Sequence, residues 1–326
     1  MKALRCVRHG PPESLVVEDV APPVPGPGEV LVQVKAAGVN FPDALIIQNK
    51  YQFKPELPFT PGGELAGIVT VVGPGVTRVA VGQRVIGFVM WGAFAEQALV
   101  AQEQLTPMPD GMPFDVASAF LMTYGTCHHA LVDRARLRAG ETVLVLGAAG
   151  GIGIAAIEIA KALGATVIAA ASSPDKLAVC RERGADMTID YQAEDLRERL
   201  KALTGGRGRG VDVVVDPVGG RYAEPALRST GWRGRDLVVG FTDGEIPRLP
   251  LNLPLLKGCS IVGVFYGDFL KREPANAEAD VRALFDLYAA GKIAPLVSAH
   301  YDLAHGGDAL QALCQRRVRG KVVITP

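Results

Sequence analysis

Four glycines fall within seven residues, Gly147, Gly150, Gly151 and Gly153, in the stretch LGAAGGIG. A short apolar run over 143–146 precedes them, and an apolar, helix-like segment over 150–163 follows. Residues without side chains let backbone N–H groups approach a pyrophosphate, and the start of a helix adds partial positive charge. In frame the stretch reads Ala148-x-Gly150-x-x-Gly153, one glycine short of the dinucleotide fingerprint. The strand before it and the helix after it are the context that fingerprint requires. Gly150, Gly151, Ile152 and Gly153 are therefore candidate phosphate-binding residues; a bare strand-to-helix turn is the alternative.

The end of the next strand selects the dinucleotide. An NAD site places a carboxylate about 20 residues past the glycines, on the ribose 2′-hydroxyl. Here the chain reads AAASSPDK, with Ser172, Ser173 and Lys176. Hydroxyls and an ammonium suit a 2′-phosphate, so the expected cofactor is NADPH. Asp175 follows Pro174 and reads as a first-turn acid of a helix. Plain N-capping is the competing account of the two serines. Phe241 and Phe265 fall at or just beyond strand ends, where open parallel sheets bind ligands; Phe265 has packing as its alternative.

These residues need elements to hold them. Residues 1–120 are rich in Pro, Gly and short alternating runs, with strands expected at 29–34, 65–72 and 83–88. From about 117 the pattern becomes strand and helix in alternation. Strands are expected at 143–146, 166–171, 187–189, 211–215 and 237–239, with helices at 150–163, 174–183 and 193–203. Continuous apolar strands between helices indicate a parallel sheet covered on both faces. The last sixty residues return to a mixed pattern, with a helix at 280–290 and a closing strand.

Thirty-four basic residues balance thirty-four acidic ones, so no net charge favours nucleic acid or an anionic membrane. No uncharged apolar run is long enough to span a bilayer, and no secretory signal is read at the start. Five scattered cysteines with no Cys-x-x-Cys argue against a disulfide framework and a structural zinc lobe, and the expected location is cytoplasmic. His128 and His129 are adjacent and point about 100° apart on a helix, so they do not converge on a metal.

Six motifs in order extend the reading: AAGVNFPDALI (36–46), PGGELAGIV (61–69), LMTYGTCHHAL (121–131), ETVLVLGAAGGIG (141–153), VVVDPVGG (213–220) and GKVVI (320–324). With them the chain resembles the medium-chain dehydrogenase/reductase superfamily, in its zinc-free NADPH:quinone oxidoreductase branch. The resemblance implies an α/β fold. A doubly wound, parallel-sheet dinucleotide-binding (Rossmann) domain at 121–266 would sit between two parts of a β-rich GroES-like catalytic domain, 1–120 and 267–326. Zinc-dependent relatives carry a Cys just after the AAG motif and a His in the motif that here reads PGGELAG. Those places hold Asn40 or its neighbours and Gly63, so only Glu64 remains of the ligand set, too few for catalytic zinc.

The resemblance also assigns roles. Asn40 and Tyr51 match an Asn and a Tyr facing the nicotinamide pocket, both neutral donors. Tyr51 is the expected donor to substrate, unless it only anchors its loop, and Asn40 is expected to position the nicotinamide ribose. A second family tyrosine falls near Leu45, where this chain departs. Asp43 is expected to fix the loop. Thr126 matches a threonine beside the nicotinamide, Tyr191 one stacking near the adenine end, and Arg316 an arginine near the 2′-phosphate; the alternatives are core packing for Thr126 and Tyr191 and a plain surface place for Arg316.

Without a Lewis acid the expected acceptor is electron-poor, and a quinone reduced by hydride from NADPH is the leading reading. An NADPH-dependent enone or enoyl-thioester reductase is the alternative. An NADPH-binding sensor or structural protein with little catalysis is the alternative of another class. The apolar segment 251–266 holds a strand candidate that relatives pair across a two-fold axis, so a homodimer is expected.

Overall fold

The computed structural model describes residues 1–206 and 209–326. The chain forms two compact units, 1–122 with 295–326, and 123–294. No described helix is long and apolar enough to cross a membrane.

The first unit is built on a seven-stranded sheet around Glu29–Gly38 and Glu64–Val72. These two strands pair antiparallel, with Gly38 opposite Glu64. Along Glu29–Gly38 the valines at 30, 32 and 34 are buried while Gln33 and Lys35 are exposed, the alternation of a strand with one core face. The closing strand Lys321–Thr325 joins this sheet antiparallel, with Val323 opposite Gly38, and Val297–Asp302 lies parallel beside it. Helix Phe41–Ile47 starts directly after the central strand. Asn40 and Asp43 form its capping box, and Asn40 N–H donates to Asp43 Oδ2 at 2.8 Å. Asp43 thus fixes the loop through the backbone, as its place in the sequence suggests.

The second unit carries a six-stranded, wholly parallel sheet. Its spatial order is Met187–Asp190, Thr166–Ala171, Thr142–Leu146, Val211–Asp216, Thr230–Val238, Ser260–Gly263. In chain order that is third, second, first, fourth, fifth, sixth, the arrangement of doubly wound dinucleotide-binding sheets. The connection reverses between Thr142–Leu146 and Val211–Asp216, and at their C-terminal ends such sheets hold ligands.

The structure adjusts several expected boundaries. The helix expected from 193 begins at Leu196, because Asp195 caps it by accepting from Glu198 N–H at 2.9 Å. The strand expected at 237–239 spans Thr230–Val238. Gly231, Gly234 and three charged residues interrupt its apolar pattern, and its register against Val211–Asp216 is irregular. The return to the first unit falls at Pro295, where 267 was expected. Residues 267–294 stay with the second unit, where Phe269 stacks on His129 at 4.0 Å between centroids and Asp280 Oδ2 lies 3.2 Å from His128 Nδ1. Segment 251–266 is first a helix, Asn252–Lys257, and only then a strand.

Candidate functional site

In the second unit the glycine turn leaves Thr142–Leu146 through Gly147, whose φ of 58° is left-handed. Gly150 is the N-cap of helix Gly151–Ala162 and has no side chain to accept from the first-turn N–H groups. A helix start of this kind suits an anion. A Cβ at Gly153 would sit 2.4 Å from the carbonyl carbon and oxygen of Ala148, so helix and turn pack at a distance that only glycine allows. Behind the turn, Cys127 Sγ donates to Ile152 O at 3.2 Å. Thr126, one residue earlier, is buried in the short helix Thr126–His128.

A second turn, Asp216–Gly220, follows the neighbouring strand. Asp216 Oδ1 accepts from Val218 N–H and Gly219 N–H, both at 2.8 Å. Gly219 and Gly220 are left-handed, with φ of 66° and 54°. A Cβ at Gly219 would meet the Phe241 ring at 2.7 Å, which places Phe241 against this turn at the sheet's reversal point. Phe265 caps helix Tyr266–Arg272 and is 44% exposed.

At the end of Thr166–Ala171, Lys176 Nζ donates to Ser172 Oγ at 3.1 Å. Ammonium and hydroxyl thus converge. Ser173 does something plainer: it caps helix Pro174–Glu182, accepting from Lys176 N–H. Capping therefore accounts for Ser173, and Ser172 with Lys176 remains the polar pair. Tyr191 N–H donates to Ala171 O at 3.2 Å, and its ring packs on Tyr222 at 4.4 Å. Sequence reasoning missed Tyr222, whose hydroxyl accepts from Gln192 Nε2 and Arg221 Nη2. Only the fold brings 191 and 222 together.

In the first unit a cluster of polar side chains is sealed at the junction of three strands and a helix start. Asn40 Nδ2 donates to Gly38 O at 3.1 Å and to Glu64 Oε2 at 3.4 Å. Its Oδ1 accepts from Lys321 Nζ, which also donates to Val39 O at 2.9 Å. Lys321 Nζ lies 3.7 Å from Glu64 Oε2, and Glu64 Oε1 accepts from Met122 N–H at 2.9 Å. Asn40, Asp43, Glu64 and Lys321 are all buried. Burial pushes the Asp43 carboxyl up to about 7, opposed by the Asn40 N–H and the Lys321 ammonium. Burial likewise raises Glu64 and lowers Lys321, while the charge of each opposes the other's shift.

Asn40 thus uses its amide inside the cluster, Nδ2 donating to Gly38 O and Glu64 Oε2 and Oδ1 accepting from Lys321. The cluster also bears on metal binding. Gly63 offers no ligand atom and Glu64 faces an ammonium, a donor set that does not suit zinc. Among the described residues no group of three or more His, Cys, Asp or Glu could hold a metal. His128 and His129 turn to separate partners, Asp280 and Asp133.

Tyr51 follows helix Phe41–Ile47, half-buried against the first unit's core, its ring 5.9 Å from that of Phe53. Burial raises its phenol above the ordinary value, as does the negative charge of Asp43, and Gln52 opposes this. Arg316, also in the first unit, is exposed just past helix Gly306–Cys314 with a left-handed φ of 57°.

Residues 26–110 match the alcohol dehydrogenase GroES-like domain and residues 151–287 the zinc-binding dehydrogenase domain. The quinone oxidoreductase-like protein 2 homolog of Nematostella vectensis is 38% identical over 99% of this chain and 88% of its own. The quinone oxidoreductase of Pseudomonas aeruginosa is 36% identical, covering 100% of this chain and 99% of its own. The Escherichia coli quinone oxidoreductase, solved as a complex with NADPH, superposes with a TM-score of 0.93 at 30% identity over 100% of both chains.

Proposed function

The chain belongs to the medium-chain dehydrogenase/reductase superfamily, in its zinc-free quinone oxidoreductase branch, and is an NADPH-dependent oxidoreductase; from that premise we propose that its acceptor is a quinone. The observation that carries the proposal is the committed cluster around Lys321. It leaves the first unit with a neutral phenol, Tyr51, and no Lewis-acid site among the described residues. Alcohol oxidation needs an electrophile that stabilises an alkoxide, whereas an electron-poor acceptor is reduced with neutral donors to hold its oxygen.

In this reading the second unit binds the cofactor. Gly150, Gly151, Ile152 and Gly153 hold the pyrophosphate, with the first helical turn supplying N–H groups. Ser172 and Lys176, with Ser173 as helix cap, take the 2′-phosphate. Tyr191 lies at the adenine end; Thr126, Phe241 and Phe265 serve the nicotinamide side. NADPH supplies the hydride. Tyr51 donates a hydrogen bond to the quinone oxygen as negative charge develops there, and the one proton that turns the resulting anion into the hydroquinone comes from Tyr51 or from water. Asn40 acts on the loop rather than on the acceptor.

We also propose a cytoplasmic protein, since all five cysteines are free. It pairs into a homodimer through the unpaired edge strand Ser260–Gly263 and the apolar residues around it.

The test offers phenanthrenequinone, benzoquinone, a simple enone and crotonyl-CoA in parallel, following loss of NADPH absorbance. Turnover of the quinones is the expected result. Turnover confined to the enone or thioester would assign the enzyme to conjugated double bonds, with Tyr51 or water protonating the α-carbon. NADPH binding without any turnover would mark a binding protein.

A further inference from the structure

Lys321 lies far from Asn40 and Glu64 in sequence, yet its side chain is buried, 5% exposed, and has acceptors on two sides. Val39 O and Asn40 Oδ1 accept from it at the start of helix Phe41–Ile47, and Glu64 faces it from the adjacent strand. A buried ammonium is costly unless it is paired and hydrogen-bonded, and this one is. Core packing alone would be served by an apolar side chain, as at the neighbouring Val322 and Val323, both buried in the same strand. The ammonium does one thing a methionine could not. It fixes which way the Asn40 amide faces, and so directs Nδ2 to Gly38 O and Glu64. That orientation anchors the capping box, in which Asp43 Oδ2 holds the Asn40 N–H, and the box starts the helix that leads to Tyr51.

We infer that Lys321 is a positioning residue for the reduction, its ammonium locking the Val39–Asp43 turn so that the segment carrying Tyr51 keeps one geometry. Lys321 lies within the motif GKVVI (320–324), but none of the roles that the resemblance implies falls on it. The inference rests on the reading of Tyr51 as the acceptor-side donor. Misplacing a group by about 1 Å can lower a rate on the order of a hundredfold. Lys321 touches no reacting atom, so its effect passes through the turn alone.

Lys321→Met alone leaves two carboxyls buried beside no cation and unsettles the fold whatever else Lys321 does. The informative protein is the double variant K321M/E64Q, in which the cation and its partner anion are removed together while the amide introduced by E64Q still accepts from Met122 N–H. Three quantities are read on the full chain: melting temperature, NADPH affinity by cofactor fluorescence, and amide exchange of residues 39–51. Where the wild type reduces an acceptor, kcat and KM for that acceptor are added. The expected outcome is a melting temperature and NADPH affinity close to wild type, faster exchange over 39–51, and kcat lower on the order of a hundredfold. Exchange over 39–51 that matches the wild type, or kcat that recovers together with the melting temperature, would overturn the inference. Should the wild type reduce none of the acceptors, the functional reading fails and the exchange experiment still decides the role of Lys321. If the double variant does not fold, K321Q, which keeps an amide donor, is read by exchange in its place.

Discussion

At the residue scale the proposed acceptor side comes down to Tyr51. Its phenol is held above the ordinary value of 10.0, chiefly by burial, so it keeps its proton through the neutral and mildly alkaline range. Tyr51→Phe removes the donor and little packing. Acceptor kcat/KM should fall on the order of a hundredfold, the usual effect of removing one such donor, with NADPH affinity unchanged. Equal kcat/KM in the two proteins would reduce Tyr51 to an anchor of its loop. A second residue, Asp236, concerns stability. It sits on the strand Thr230–Val238, 2% exposed, with Oδ1 unpartnered. Burial, then the charge of Asp216, push its carboxyl up to about 8. An unfolded Asp titrates near 3.9. Between roughly those values the folded chain holds a proton that the unfolded chain releases, so stability falls as pH rises through the window and levels off above it. Asp236→Val should stabilise by about 1–3 kcal/mol once that cost is present. The gain in melting temperature should be larger at mildly alkaline than at mildly acidic pH; a gain independent of pH would show that the carboxyl is not the cause.

At the element scale the glycine turn carries the sharpest constraint. Gly153→Ala puts a Cβ 2.4 Å from the backbone of Ala148, so helix Gly151–Ala162 must shift away from the turn. Overpacking of this kind costs about 1–3 kcal/mol, and NADPH binding should weaken more than stability does, because the N–H groups at the helix start move with it. Calorimetric titration beside thermal melting separates the two; intact affinity would show that the turn does not hold the pyrophosphate. This turn was legible because a strand, glycines and a helix are contiguous and each leaves a local pattern. The alternating strands and helices of the parallel sheet were legible for the same reason. Thr230–Val238 was half hidden, since its pattern is broken by glycines and by charges that find partners only in the fold, such as Arg235 with Glu141 at 2.8 Å. The capping box could be suspected from Asn40 and Asp43, three residues apart. The full cluster could not, because Lys321 comes from the other end of the chain. Tyr222 was hidden likewise, its link to Tyr191 existing only in space.

At the scale of the whole molecule, the proposed function assigns the cofactor to the second unit and the acceptor to the first, and the second unit also carries an apolar edge. Leu255 and Trp232 are 79% and 71% exposed, and a Cβ at Gly258 would meet the Trp232 ring at 2.8 Å, which places that ring beside the loop leading into Ser260–Gly263. An unpaired strand beside exposed apolar side chains invites pairing with another copy. Light scattering should give twice the 34.4 kDa chain mass for the wild type and close to one chain for the variant L255E/I261K. A wild-type monomer would leave this edge without a partner. The account as a whole stands on direct hydride transfer from NADPH to a quinone without a metal. The most direct measurement is the rate of phenanthrenequinone reduction with NADPH carrying deuterium on the transferring face of the nicotinamide, in protein dialysed exhaustively against a chelator. The account predicts turnover that survives chelation and slows with the deuterated cofactor once hydride transfer limits the rate. Loss of turnover on chelation, restored by added zinc, would contradict it.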